Sequence, residues 1–144
     1  MCIDLEKFAH HLRRQALPGR GLGRCGEFVR KALQAAGAEL RPPYPPSGKL
    51  YGPALLALGY ARLEVPNPDR FAFLKGDIMV MEPCQPCGHG HVAGYDGSHW
   101  ISDFVQRDFW AGPGYRKRRP VVAVYRYPAP PCAEDEARTR PNPG

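Results

Sequence analysis

The sequence predicts an α+β fold in which N-terminal helices pack on an antiparallel β-sheet. Segments with helical spacing of apolar residues come first along the chain, and segments rich in β-branched and aromatic residues come afterwards. A chain of 144 residues is long enough for one domain. It contains 16 glycines and 17 prolines, so we expect a small core joined by long loops.

Three helices are predicted in the first part of the chain. The first covers residues 4–17, with Asp4 as its N-cap and Pro18 after its end. The second runs from Cys25 to Ala36, and its apolar residues recur at helical spacing with Cys25 on the inward face of the first turn. A short third helix begins near Pro53. The four prolines of residues 41–48 predict an extended loop that is able to line a groove.

Five strands are predicted in the remainder of the chain, at residues 60–65, 77–82, 91–95, 99–105 and 121–127. The third and fourth form a hairpin around Asp96-Gly97. Asp77, which opens the second strand, is expected to be a turn or cap residue. The basic run 116–119 is expected to be a solvated loop.

Residues 128–144 are rich in proline and charge, so we expect a disordered tail after a single domain at 1–127.

The net charge of +6 favours a polyanionic partner, such as nucleic acid, an acidic wall polymer or a membrane surface. No segment reaches the roughly 18 apolar residues that span a bilayer, and the N-terminus has no signal-peptide pattern. We therefore expect a protein made in the cytoplasm without a signal peptide and without membrane insertion. The five cysteines are an odd and scattered set, so we expect at least one free thiol unless chains pair.

A cysteine and a histidine suggest nucleophilic chemistry. Cys25 stands at a helix N-terminus, where unpaired N–H groups and the helix dipole favour the thiolate. His91 opens the hairpin and is a candidate general base, which an acidic residue such as Asp103 would orient through the other ring nitrogen. A two-residue hairpin connection turns Asp103 to the opposite face, whereas a three-residue connection brings it opposite His91. The predicted Cys25-His91-Asp103 triad needs the second register, or a bulge.

Three motifs resemble those of the NlpC and CHAP cell-wall hydrolases, which are papain-like cysteine peptidases and amidases. They are GRCGEFV at 23–29, KGDIMV at 75–80 and HVAGYDG at 91–97, and the resemblance covers roughly residues 21–126. It implies a papain-like fold, with Cys25 as nucleophile, His91 as base and Asp103 as orienting residue. Asp103 departs from the His, Asn or Glu more usual there. The implied substrate is the peptidoglycan stem peptide, and we expect no cofactor.

Residues 100–108 and 112–115 also look like amidase-type antibacterial effectors of type VI secretion systems. Such effectors are made without signal peptides and delivered into the periplasm of rival cells. The resemblance implies a cognate immunity protein, most simply one that plugs the Cys25 groove. A close alternative is a papain-like protease toxin that uses the same three residues to cut a cytosolic protein of the target cell.

Other residues remain candidates for roles at this site. His89 is a second candidate for the base, because residues 89 and 91 share a face if both are extended. Candidate substrate contacts are Tyr51, His89, His99 and Trp100.

A non-enzymatic alternative is a zinc-binding or nucleic-acid-binding module. Four potential zinc ligands lie within eight residues, too close for an unstrained tetrahedron: Cys84, Cys87, His89 and His91. A Cys84–Cys87 disulfide or two free loop thiols are simpler interpretations. The basic run 116–119 and its aromatic neighbours would suit nucleic acid, but no recognised nucleic-acid motif is present. We therefore expect neither a metal nor a nucleic-acid partner.

Overall fold

The structure, a computed structural model, describes residues 2–85 and 88–128. It confirms the predicted α+β fold. The helices are α1 (Leu5–Gln15), α2 (Cys25–Ala35), α3 (Gly52–Ala57) and α4 (Pro113–Arg118). The strands are β1 (Ala61–Leu63), β2 (Ile78–Met81), β3 (His91–Tyr95), β4 (Trp100–Ile101) and β5 (Val122–Arg126). Nearly all of the predicted disordered tail lies outside the described residues.

The five strands form one antiparallel sheet in the order β1-β5-β2-β3-β4. All four residues of β2 are buried because both faces of the sheet are covered. Ile78 and Val80 belong to a core with α1 and α2, whereas Met79 and Met81 belong to a second, aromatic-rich core. Alternate side chains of a strand point to opposite faces, so β2 joins the two cores.

Both long helices follow the predicted patterns. The Asp4 side chain accepts hydrogen bonds from the backbone N–H groups of Glu6 and Lys7, which confirms it as the N-cap of α1. The buried face of α2 includes Val29, Ala32 and Leu33, and it holds Cys25 at the edge of the core. None of the helices in the part of the chain that the structure describes has the length and apolar character needed to cross a membrane.

The β3–β4 hairpin differs from both predicted registers. Tyr95 pairs with Trp100, so the connection has four residues. Within it, the Asp96 carboxylate accepts hydrogen bonds from the backbone N–H groups of Ser98 and His99, and this side-chain cap stabilises the longer turn. The predicted strand 99–105 is therefore wrong beyond its start, because β4 contains only two residues and the chain then reverses.

The reversal follows β4 at once. The Ser102 N–H donates to the Phe104 carbonyl oxygen at 3.0 Å, and Val105 forms an antiparallel bridge back to Ile101. Asp103 thus lies at the tip of a turn instead of in a strand. The residues after the turn run back beside β4, with the Gln106 N–H donating to the Trp100 carbonyl at 2.8 Å.

The basic run is also not the predicted loop. Arg116, Lys117 and Arg118 form the last turn of α4, which begins at Pro113. Proline is favoured at the first helical position, and cations are favoured at a helix C-terminus. Pro113 and the basic residues therefore favour the start and the end of this short helix.

Asp77 is a turn residue as predicted and also part of a buried ion pair. Its fully buried carboxylate accepts the Leu74 N–H at 2.9 Å and pairs with both Nε and Nη2 of Arg126 at 2.8 Å. The pair links the start of β2 to the last residue of β5, beside the strand that leads to the site.

Candidate active site

A groove of about 880 Å³ lies where the start of α2 meets β3. Cys25 and His91 both line it. One wall comes from the proline-rich loop, as predicted, through residues 45–48, and another from α4 through Tyr115. The two predicted catalytic groups are therefore brought to one solvent-accessible place from segments 66 residues apart.

Cys25 is the first residue of α2 and carries a free, half-buried thiol. Burial raises the pKa of this thiol, and the negative charge of Asp103 acts in the same direction. Backbone hydrogen bonds from Val92, Gly26 and Cys25 itself act in the opposite direction but are outweighed. Burial therefore favours the thiol, whereas the helix start is expected to favour the thiolate, and a protonated thiol needs a base to remove its proton.

His91, the first residue of β3, is buried, and burial lowers the pKa of its imidazole. Its hydrogen bond to Gln106 and the charge of Asp103 oppose this shift without reversing it. The imidazole is therefore neutral near pH 7, which is the form that accepts a proton. Burial thus disfavours the charged form of both groups, which favours a neutral Cys25 thiol beside a neutral His91 imidazole.

The partner of His91 is Gln106, with the His91 Nε2 atom 2.7 Å from Gln106 Oε1. The amide nitrogen of Gln106 donates to the carbonyl oxygens of Asp108 and Phe109, each at 3.1 Å. These two bonds identify the atom facing His91 as the carbonyl oxygen, which only accepts. His91 Nε2 must therefore carry its proton, and Nδ1 is the nitrogen able to accept another.

Asp103 does not occupy the orienting position predicted for it. Its Oδ2 atom accepts hydrogen bonds from the N–H groups of Leu22 and Arg24 at 2.7 and 2.9 Å, and Oδ1 accepts from the Ser102 hydroxyl at 3.2 Å. Gly21 passes so close that a Cβ there would lie 2.8 Å from the carboxylate. Asp103 thus fixes the loop that leads into Cys25. The physical reason is the turn at 102–104, which aims this side chain at the loop.

The four candidate substrate contacts divide into two pairs. Tyr51 and His89 line the groove, where the Tyr51 hydroxyl donates to the Gly26 carbonyl at 3.0 Å. Trp100 is instead buried in the second core, with its ring centroid 4.8 Å from that of Phe73. His99 is exposed in the hairpin turn, outside the groove lining. Both positions follow from the four-residue connection, because it contains His99 and pairs Trp100 with Tyr95, which packs against the second core.

The candidate zinc ligands are not gathered into one cluster within the part of the chain that the structure describes. Cys84 is a free thiol, so the suggested Cys84–Cys87 disulfide is not formed. Cys84 lies beside α4, where a Cβ on Gly114 would come within 3.1 Å of its sulfur. Within residues 2–85 and 88–128 no three His, Cys, Asp or Glu side chains are grouped to hold a metal ion; Cys87 lies outside these ranges.

Gln106 is the site residue that the sequence does not reveal. It follows a turn that is invisible in the strand pattern, and an uncharged glutamine carries no catalytic signal of its own. The available hint is its position within residues 100–108, which carry the resemblance to amidase-type effectors.

Comparison with known proteins places this chain in a family. No protein-family model and no curated protein matches the chain. Two crystal structures of the type VI effector-immunity complex Tae3-Tai3 from Ralstonia pickettii match this chain. The native form has 40% sequence identity and a TM-score of 0.76, and the match covers 87% of this chain and 99% of that chain. The selenomethionine form has 40% identity and a TM-score of 0.72, covering 83% and 99%. The chain therefore belongs to the family of the type VI effector Tae3.

Proposed function

We propose that this effector is a papain-like cysteine hydrolase that cleaves amide bonds in peptidoglycan stem peptides, with antibacterial action in a target cell. The observation that carries the proposal is the groove in which the Cys25 thiol and a His91 of defined tautomer occur together. Their residue types and order match the resemblance to NlpC and CHAP hydrolases. Membership of the Tae3 family supports delivery by a type VI system.

The reaction follows from the two neutral groups. His91 Nδ1 removes the thiol proton as Cys25 Sγ attacks the carbonyl carbon of the amide. The imidazolium then returns that proton to the leaving amine as the carbon–nitrogen bond breaks, which leaves a thioester. Water next attacks the thioester with His91 again as base, and the products are a carboxylic acid and the restored thiol. Gln106 keeps the proton on Nε2 throughout, so that Nδ1 exchanges protons with the reacting groups.

Stabilisation of the oxyanion is assigned to the start of α2. The Cys25 backbone N–H stands at the first helical position and has no carbonyl four residues back within the helix. It is therefore available to the negative oxygen that forms during attack, and the helix dipole adds a favourable field there. These contributions require no cofactor or metal.

We further propose a cognate immunity protein for this effector. The solved relatives are complexes of Tae3 with Tai3, and a partner that enters the groove would separate Cys25 from substrate. The net charge of +6 suits an anionic wall polymer. The periplasm of the target cell is the compartment in which that polymer would be met.

Digestion of purified peptidoglycan tests the proposal. We expect the protein to release fragments with new amine and carboxyl ends, identified by mass spectrometry, and Cys25→Ala to release none. Cys84→Ala is the matched control, since it removes the second free thiol among residues 2–85 and 88–128, and it should retain activity. An intact wall together with cleavage of a cytosolic protein would replace the amidase proposal with the protease toxin. Activity that survives in Cys25→Ala would overturn both.

A further inference from the structure

The groove continues from the nucleophile along α2 to Arg30. Gly26 and Arg30 are four residues apart and so share one face of the helix, and both line the groove. The Tyr51 ring covers Gly26, where an added Cβ would lie 2.9 Å from its Cε1 atom. Burial raises the pKa of Tyr51, the charge of Arg30 lowers it and a Cys25 thiolate raises it. The Tyr51 hydroxyl, which donates to the Gly26 carbonyl, is therefore within electrostatic range of both the nucleophile and this arginine.

The Arg30 guanidinium is held in place by a stacked aromatic ring. Its Cζ atom lies 4.0 Å from the centroid of the Tyr44 ring. The Tyr44 hydroxyl accepts a hydrogen bond from Gln34 Nε2 at 3.3 Å, and the same nitrogen donates to the Leu40 carbonyl at 3.0 Å. A stacked and supported guanidinium loses little conformational freedom when it binds a ligand.

Arg30 nevertheless has no anionic partner in the part of the chain that the structure describes. Its Nε atom is buried without a hydrogen-bond partner, and no carboxylate of residues 2–85 or 88–128 forms a salt bridge with it. Glu27, the acidic residue on the same helix, is engaged by Arg24 and by Lys31. The Arg30 guanidinium therefore presents a fixed and uncompensated positive charge to the groove, and such a group is suited to binding an anion.

We propose that Arg30 forms a carboxylate-binding subsite, which takes a free carboxylate of the substrate close to the amide that Cys25 attacks. This inference rests on the proposed function. Five helical residues at about 1.5 Å each separate Arg30 from Cys25 by about 7.5 Å along the axis. That distance corresponds to about two extended peptide residues at ~3.3 Å each. Peptidoglycan stem peptides carry free carboxylates, and the planar guanidinium pairs with two carboxylate oxygens at once.

The test measures binding without cleavage. Cys25→Ser protein is titrated by calorimetry with synthetic stem peptides in which each free carboxylate is converted, one at a time, to a carboxamide. We expect one conversion to weaken binding by about tenfold to a hundredfold. The same conversion should have no effect on Cys25→Ser protein that also carries Arg30→Gln. Arg30→Lys should keep part of the preference, because it retains the charge without the planar stack. Arg14→Gln, which changes an exposed arginine outside the groove, should leave the preference intact.

The outcomes separate this inference from the proposed function. Equal binding of all peptides, no binding of any peptide, or a preference that survives Arg30→Gln would overturn the subsite. Cleavage of carboxylate and carboxamide peptides with equal kcat/KM by the unaltered protein would retain the hydrolase and reject the subsite. A carboxylate preference in binding without any cleavage would retain the subsite and reject the hydrolase. Thermal denaturation of each variant shows that the comparison is made between folded proteins.

Discussion

Gln106 Oε1 lies 2.7 Å from His91 Nε2, and the Gln106 amide nitrogen is used by two backbone carbonyls. A glutamine held in this way presents only an acceptor to the imidazole. The arrangement selects one tautomer of His91 without placing a charge beside it, so it leaves the imidazole neutral and basic. In the proposed mechanism Gln106 is therefore the orienting residue, and Asp103 has a different task.

Replacement of Gln106 should alter both rate and pH dependence. Gln106→Ala is expected to lower kcat/KM by about tenfold to a hundredfold, less than the ~10²–10⁴-fold that a positioned base contributes. Gln106→Glu places a carboxylate beside the imidazole and raises the pKa of His91. The acidic limb of the pH–rate profile, measured as kcat/KM against pH, should therefore move to higher pH. Gln15→Glu makes the same charge change at an exposed position outside the groove. If the acidic limb of the profile does not move in Gln106→Glu, the assigned hydrogen bond between Gln106 and His91 is contradicted.

Neutralisation of Asp103 should shift the pH dependence of kcat/KM in the opposite direction. The charge of Asp103 acts to raise the pKa of His91, so Asp103→Asn should lower that pKa and move the acidic limb to lower pH. Asp103→Ala removes the acceptor of two backbone N–H groups, and we expect a loss of about 1–3 kcal/mol in the free energy of unfolding, measured with urea. Glu39→Ala, at an exposed ion pair, should cost less than about 0.5 kcal/mol. Equal losses in the two variants would argue against an anchoring role.

The reactivity of Cys25 should report a neutral resting pair. Burial raises the pKa of the thiol and lowers the pKa of His91, so we expect the thiol to stay protonated as the pH falls, without a thiolate–imidazolium pair. Alkylation of Cys25 by iodoacetamide, followed by peptide mass spectrometry, should therefore slow continuously from alkaline to mildly acidic pH. Cys84 in the same sample provides an internal comparison. A plateau of fast alkylation in mildly acidic solution would contradict this prediction.

Gly48 should be required for the proline-rich wall of the groove. A Cβ at this position would lie 2.7 to 2.9 Å from backbone atoms of His91 and Val92, and the sheet cannot yield easily because both residues pair with β2. Gly48→Ala is expected to cost about 1–3 kcal/mol in unfolding free energy and to reduce kcat/KM as the loop shifts. Gly112→Ala meets no heavy atom within 4 Å and should change stability by less than about 1 kcal/mol. Similar stability of both variants would show that the contact is unimportant.

The parts of the fold that follow local rules could be predicted. The N-cap at Asp4, the apolar face of α2 and the exact bounds of β3 all depend on residues close together in sequence. The length of β4 could not be predicted from the sequence. It depends on the Asp96 carboxylate, which caps a four-residue turn, and on the chain reversal immediately after Ile101.

The amino-acid sequence by itself determined the fold class and singled out Cys25 and His91, since helical periodicity, strand composition and residue chemistry are local properties. Only the tertiary structure decided that Gln106 contacts His91 while Asp103 supports the loop before Cys25. The physical reason is that the chain reverses directly after Ile101, so Asp103 at the turn points to the loop before Cys25 and Gln106 runs back beside β4 to reach His91. The contacts that stabilise this reversal join segments far apart in sequence, so no local pattern reveals them.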